Sequence, residues 1–173
     1  MHQPQYRDAL TGQYVLPWTY LHAIKDYVDM AAHLEAAPAA RAVVNFTPVL
    51  IEQLEELAVR IVQHLDSGAA LPDPVLALLG PGVVPQAGAE RLELLRACLR
   101  AQRKNMIERF PAYLELATLA ESFATPERIG YASDQFMHDL AVWYHLAWLG
   151  ETVRRTDALV AALTAQGLSL IHI

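Results

Sequence analysis

Only one stretch of this chain reads as a β-strand, and a lone strand cannot build a sheet. Ala42-Val43-Val44-Asn45-Phe46 is short, apolar and rich in β-branched residues, with Asn45 near its C-terminal end. No second stretch of that kind follows Pro48. A strand's N–H and C=O groups need ladder partners, so helix, strand, helix here is half of a βαβ pattern whose parallel partner lies elsewhere. The remainder favours helix. Ala and Leu, both strong helix formers, dominate 173 residues that are 54% hydrophobic and 18% charged, a globular composition. The expectation for these residues is a mostly α-helical molecule with one or two short strands.

Prolines and cap residues mark the helices. One is expected from Pro17 to about Glu35, ended by Pro38, with Leu21, Ile24, Val28 and Ala31 on one stripe beside Tyr20, Tyr27 and Leu34. His22, Lys25, Asp26, Asp29 and His33 line its opposite face. Thr47-Pro48 reads as an N-cap followed by Pro at the first helical position. The helix it opens carries Leu50, Leu54, Leu57, Ile61 and Leu65 on one face. Residues 67–89 hold most of the Gly and Pro and read as irregular, with a short helix over 73–79 capped by Asp73. A long helix is expected over 89–109, resuming at 111–122. Thr125-Pro126 repeats the cap-then-Pro pattern, Ser133 opens a helix to Leu149 that Gly150 closes, and a last helix covers 152–166. The run of helices after Pro48 points to a helical insertion over 67–150.

A formal charge of −6 argues against a nucleic-acid partner, whose affinity rests on Lys and Arg. The single cysteine, Cys98, has no partner for an internal disulfide and reads as a core thiol, which fits a reduced, cytoplasmic setting. No apolar run approaches the ~20 residues of a membrane span, and no basic-then-apolar leader opens the chain.

Three groups of residues could carry chemistry. His2-Gln3-Pro4 with Tyr6, Arg7 and Asp8 is the densest polar cluster, and an imidazole, an amide and aromatic rings suit recognition of sugar hydroxyls; a solvated N-terminus has the same look. Asn45, at the end of the strand, stands where parallel-sheet proteins place ligand groups, or else satisfies the next helix's N-terminus. Asp134, His138 and His145 share one helical face and are sound metal ligands by type, but the two imidazoles are two turns apart, too far to share one ion easily. Arg96, Arg100, Arg103 and Lys104 form a basic stripe that reads as a solvated face. No phosphate loop, zinc-spaced cysteine pair or nucleophile elbow is present.

Taken together, several of these pieces resemble one family. His2-Gln3-Pro4-Gln5-Tyr6-Arg7-Asp8 resembles the opening motif of glycoside hydrolase family 57, in which His-Gln-Pro closes the first barrel strand. Leu16-Pro17-Trp18, with Leu21-His22, Lys25-Asp26-Tyr27 and Asp29-Met30, is similar to that family's first helix. Val44 to Leu50 with Glu52-Gln53-Leu54 looks like its second strand and following helix, and Asp139-Leu140, Trp143 and Leu146-Ala147-Trp148 resemble the helical insertion of its α-amylase/α-mannosidase-like branch. The likeness covers residues 1–167. It implies an α/β parent, an incomplete seven-fold (β/α) barrel that hydrolyses or transfers α-glycosides with retention. Such enzymes use a Glu nucleophile and an Asp acid/base about 5 Å apart. It also implies that His2 and Gln3 touch sugar, with Asn45 as companion from the neighbouring strand and Trp18 as an anchor packing the first helix. The partner would be an α-glucan or related oligosaccharide; no cofactor or metal is implied.

The family motif carries a further His two positions before the one matching His2, and its catalytic Glu and Asp lie in contexts not found here. The expectation is an N-terminal portion of the enzyme, without either catalytic carboxylate, inactive and prone to association by itself. Leu168-Ser169-Leu170-Ile171-His172-Ile173 resembles the translation of a transposase adapter used in DNA sequencing, and is expected to be one. Two other readings compete: a non-catalytic helical interaction domain, and a helical metal-binding protein using Asp134, His138 and His145.

Overall fold

The computed structural model describes residues 3–80 and 84–166. The helices run in the order α1 (Trp18–His22), a π turn (Ala23–Tyr27), α2 (Val28–Ala36), α3 (Pro48–Ser67) and α4 (Pro74–Ala77). Then come α5 (Gly88–Cys98), a second π turn (Arg103–Ile107), α6 (Pro111–Phe123), a 3₁₀ turn (Ile129–Tyr131), α7 (Asp134–Trp148), α8 (Glu151–Thr156) and α9 (Ala158–Gln166). Among the described residues no helix is long and apolar enough to cross a membrane.

The strand expected over 42–46 is not formed. Residues 41–47 have no regular structure, the Val43 side chain is fully exposed, and Val44 and Phe46 are exposed as well. The physical reason is the missing ladder: β-propensity expresses a fit to a pleated, half-buried surface, and nothing here supplies one. The one β-type pairing among the described residues is an isolated antiparallel bridge between Arg7 and Tyr14.

The chain divides into two compact units. The first comprises Met1–Ala77 with Leu149–Arg155. Its centre is Gln53, a polar residue with 1% exposure inside the apolar face of α3. Gln53 is satisfied from four directions. Its Nε2 donates to the carbonyls of Pro4 and Val49 at 3.1 Å, and its Oε1 accepts from the Tyr6 N–H at 3.0 Å and the Thr19 hydroxyl at 3.3 Å. One amide thereby fastens the N-terminal loop and α1 to α3. Leu21, Leu50 and Leu57 are buried around it. Arg7 reinforces the same joint, reaching Glu56 at 2.7 Å and Glu52 at 3.3 Å. Tyr14 is buried beside them, and burial, aided by the Glu56 charge, pushes its phenol up to about 12.

α3 starts where Thr47-Pro48 places it, but the Thr47 hydroxyl makes no cap bond and is buried without a partner. The helix ends at Gly68, whose φ of 71° is left-handed and whose N–H bonds the His64 carbonyl. The second half of the expected apolar face is solvated: Ile61 is 36% and Leu65 76% exposed.

The helix expected from Pro17 is interrupted. The π turn inserts residues into the 3.6-residue period, so the stripe drawn through Leu21, Ile24, Val28 and Ala31 does not continue: Leu21 is buried, whereas Val28 and Ala31 are exposed. The turn's backbone is put to use, since the Ile24 carbonyl accepts the Gly150 N–H at 2.8 Å. Gly150 is therefore not the left-handed closing residue expected; the positive-φ glycines among the described residues are Gly12 and Gly68. It is glycine because of close approach. A Cβ there would lie 2.7 Å from Asp29 Oδ1 and 3.1 Å from the Lys25 carbonyl.

The second unit comprises Leu78–Trp148 with the residues from Thr156 onward. Its core helix is α7, which packs against α5, α6 and the second π turn. Nearly every residue from Met137 to Trp148 is buried, as for a helix surrounded by others. Ser133 caps it through Phe136 N–H at 3.1 Å. Cys98 is fully buried, as a core thiol. Tyr113 is buried too, and its hydroxyl donates to the Cys98 carbonyl at 2.6 Å. Arg91 holds three strands of backbone and side chain together, donating to the carbonyls of Pro85 and Ala132 and to Asp134. The long helix expected over 89–109 breaks after Cys98, and that over 152–166 breaks at Asp157, whose carboxylate caps α9 through Val160 N–H. Thr125-Pro126 opens only a turn, with the Thr125 carbonyl accepting from Arg128 and Ile129.

Candidate functional site

The polar residues of the first unit gather along one side of α1, the π turn and α2. Asp26 is the centre. One of its oxygens meets His22 Nδ1, one helical turn earlier, and the other accepts from Lys25 Nζ at 2.5 Å. Burial works against ionisation of this carboxyl, but the Lys25 and His22 contacts outweigh it and hold it below the usual carboxylate range. His22 lies between two aromatic rings, with centroids 6.4 Å from Trp18 and 6.3 Å from Tyr27.

The π turn completes this grouping. In an α-helix Asp26, four residues on, already lies beside His22; with about one extra residue per turn, the π turn brings Tyr27, five on, beside it as well. Asp29, one turn on, is engaged elsewhere: it accepts the N–H groups of Glu151 at 2.7 Å and Thr152 at 2.9 Å and so caps α8. Burial opposes its ionisation, and those two donors overcome it, keeping its carboxyl low as well.

Asp26 and Asp29 form one wall of a cleft of about 640 Å³, with Met30, His33 and Leu34 on the same side and Ala42 to Asn45 opposite. Both carboxyls stay ionised near neutrality, so neither is suited to donate a proton as a general acid. They can accept hydrogen bonds, and the cleft offers acceptors, donors and apolar contacts together.

The candidate residues from the sequence fall as follows. Gln3 is joined to this grouping: its Nε2 donates to the Tyr27 hydroxyl at 3.3 Å, and its Oε1 accepts from the Tyr6 hydroxyl at 3.0 Å. Asn45 lines the cleft. His2 lies outside the described residues, as does the 168–173 tail. Trp18, expected to pack the first helix, is half-buried, beside the buried Thr19, Tyr20 and Leu21.

Comparison of the chain with protein-family models, curated proteins and solved structures finds no match.

The trio of Asp134, His138 and His145 does not converge. Asp134 is paired with Arg91 at 2.8 Å, His138 Nδ1 meets the Leu78 carbonyl at 2.8 Å, and His145 Nδ1 meets the Ala141 carbonyl at 2.7 Å. Among the described residues no group of three or more His, Cys, Asp or Glu could hold one ion. The basic stripe is also engaged locally, with Arg96 on the Ala124 carbonyl and Arg103 paired with Glu108 and Glu121. Glu52 and Glu56 hold Arg7 in place.

Sequence reasoning placed His22 and Asp26 on the polar face of the first helix without pairing them. The available signal was their i, i+4 spacing with Lys25 between them. The π turn, which adds Tyr27 to the group, has no such signature.

Proposed function

We propose that this chain belongs to a retaining α-glycoside hydrolase or glucanotransferase of the family 57 type, built in full as an α/β barrel. On this reading it contributes sugar-binding groups, carries neither catalytic carboxylate, and has no glycosidase activity alone. The observation that supports the reading is that Gln3 and Asn45, distant in sequence, both lie against one helical stretch: Gln3 is bonded to Tyr27, and Asn45 lines a cleft with Asp26 and Asp29. A cleft lined by two carboxylates, an amide and an imidazole among aliphatic side chains offers hydrogen-bonding groups and apolar contacts to a ligand of hydroxyls and apolar ring faces. The α-glucan is the partner this implies. The flanking coding sequence is the test. The reading requires an apolar strand ending in His ahead of Met1 and a Glu-bearing strand after Gly167; flanks with neither would overturn it.

A second reading, a non-catalytic helical interaction domain, is favoured by one observation. α3 leaves Ile51, Val59, Val62 and Leu65 exposed along its length, between 43% and 76%, more apolar surface than a helix facing only water needs. It expects neither flanking strand.

A further inference from the structure

We propose that the exposed face of α3 docks an amphipathic helix of a partner protein, one whose apolar seam is flanked by Lys or Arg. This rests on the interaction-domain reading above and names the kind of partner which that reading leaves open.

The first observation is an apolar strip. Ile51, Ala58 and Leu65 follow one another at seven-residue spacing, and Ile61 and Val62 stand between the last two. All five are exposed. From Ile51 to Leu65 the strip runs roughly 21 Å at about 1.5 Å per residue, close to four turns. It adjoins the covered face that holds Leu50 and Leu57, so the apolar arc of α3 is wider than the part its own unit buries.

The second is the backbone that such a strip accepts. α3 satisfies its own N–H and C=O groups and offers no ladder to another chain. An occupant leaving water must therefore satisfy its own backbone, which a helix does and an extended peptide does not. Apolar residues repeating every seven positions also meet a second helix by side-chain packing.

The third is charge. α3 carries Glu52, Glu55, Glu56 and Asp66 against Arg60, and Arg7 lies across it. Arg7 takes up Glu52 and Glu56, and Arg60 stands 3.9 Å from Glu56. Glu55 and Asp66 have no ion pair among the described residues, and their eleven-residue spacing puts both on one edge of the strip. Val59 lies between them on that edge, in a shallow depression of about 470 Å³ with Glu52 and Glu55 in its wall. A Lys or Arg of the partner would lay its aliphatic stem on Val59 and its charge on Glu55. An antiparallel second copy would instead set this acidic edge against itself, in a chain of formal charge −6.

Fluorescence anisotropy of labelled synthetic helices, titrated with the full chain, tests this. Two peptides of four turns share one Leu seam, flanked by Lys in the first and Glu in the second; a third scrambles the Lys sequence and so loses the seam. The Lys-flanked helix should bind saturably, and the other two at least tenfold more weakly. Val62→Asp should weaken binding by about tenfold, the loss of an interface anchor, whereas Val43→Asp, on the exposed 42–46 segment, should leave it unchanged. Glu55→Lys together with Asp66→Lys should reverse the preference between the Lys and Glu helices. All these positions are exposed, and circular dichroism checks that the helices persist. Equal binding of the scrambled peptide, wild-type affinity in Val62→Asp, or no binding of either helix would overturn the proposal. Equal binding of the Glu-flanked helix would overturn it too, while leaving the interaction reading in place. So would a dimer in sedimentation, or binding to phosphatidylcholine vesicles, that Val62→Asp abolishes, since the face would then belong to a second copy or to lipid. The interaction reading itself is decided separately, by the flanking coding sequence.

Discussion

Asp73 shows how a single residue can serve local structure at an electrostatic cost. Its carboxylate caps α4, accepting the N–H groups of Val75 and Leu76 at 2.9 Å, but it is 1% exposed. Burial pushes the carboxyl up to about 6 from an ordinary 3.8, against the lowering effect of the two N–H donors. The native state therefore holds this proton more tightly than the unfolded chain does. Its contribution to stability is fully present below 3.8 and is lost as pH rises through about 6. Asp73→Asn keeps a capping oxygen and removes the charge. It should stabilise the protein at pH 7 by up to about 3 kcal/mol, the difference of two pKa values converted at 1.36 kcal/mol each, and should change little at pH 4; urea unfolding at the two pH values measures this. His145 has the opposite sign. Burial lowers its imidazole to about 4, in spite of the Ala141 carbonyl, so its contribution is present above 6.5 and lost as pH falls through about 4.

At the scale of elements, the joint between the first π turn and α8 is the most demanding in steric terms. Gly150 donates to the Ile24 carbonyl while Asp29 caps the helix that follows. Gly150→Ala would drive a methyl group into Asp29 and the Lys25 carbonyl. A loss of about 2–3 kcal/mol is expected, the usual cost of overpacking. Gly130→Ala meets nothing within 4 Å and should be close to neutral; thermal unfolding of the pair reads the difference. Helix starts were legible where a cap or Pro marks them, at Pro48, Asp73-Pro74, Pro111 and Ser133. The buried sector of α7 was legible from its aromatic and apolar residues. What escaped has physical causes. The π turn inserts residues without a sequence signature, and with it went the stripe through Val28 and Ala31. Residues 42–46 have the composition of a strand but no neighbour to pair with. Gln53 looks like a polar interruption in an apolar face, and only the loop folded over it reveals its four partners. Of the site, Gln3 and Asn45 could be named in advance from a family motif and the His22–Asp26 pair from its i, i+4 spacing, whereas the approach of Tyr27 to His22 depends on the π turn.

For the molecule as a whole, the two units carry different kinds of chemistry. The second is built around α7, and its ionisable side chains are spent on its own frame: Arg91 on Asp134 and two carbonyls, Arg103 on Glu108 and Glu121. The first leaves a cleft between α2 and the 42–45 segment, with ionised carboxylates in its wall. Trp143 and Trp148 are buried, at 2% and 8% exposure, so a change in tryptophan emission on adding sugar would report chiefly on Trp18. The central claim is that this chain binds an α-glucan without cleaving it. Its most direct test is a titration of tryptophan emission with maltohexaose while newly formed reducing ends are followed in the same sample. A saturable change in emission with reducing ends at background is the predicted result; unchanged emission, or a steady rise in reducing ends, would contradict it.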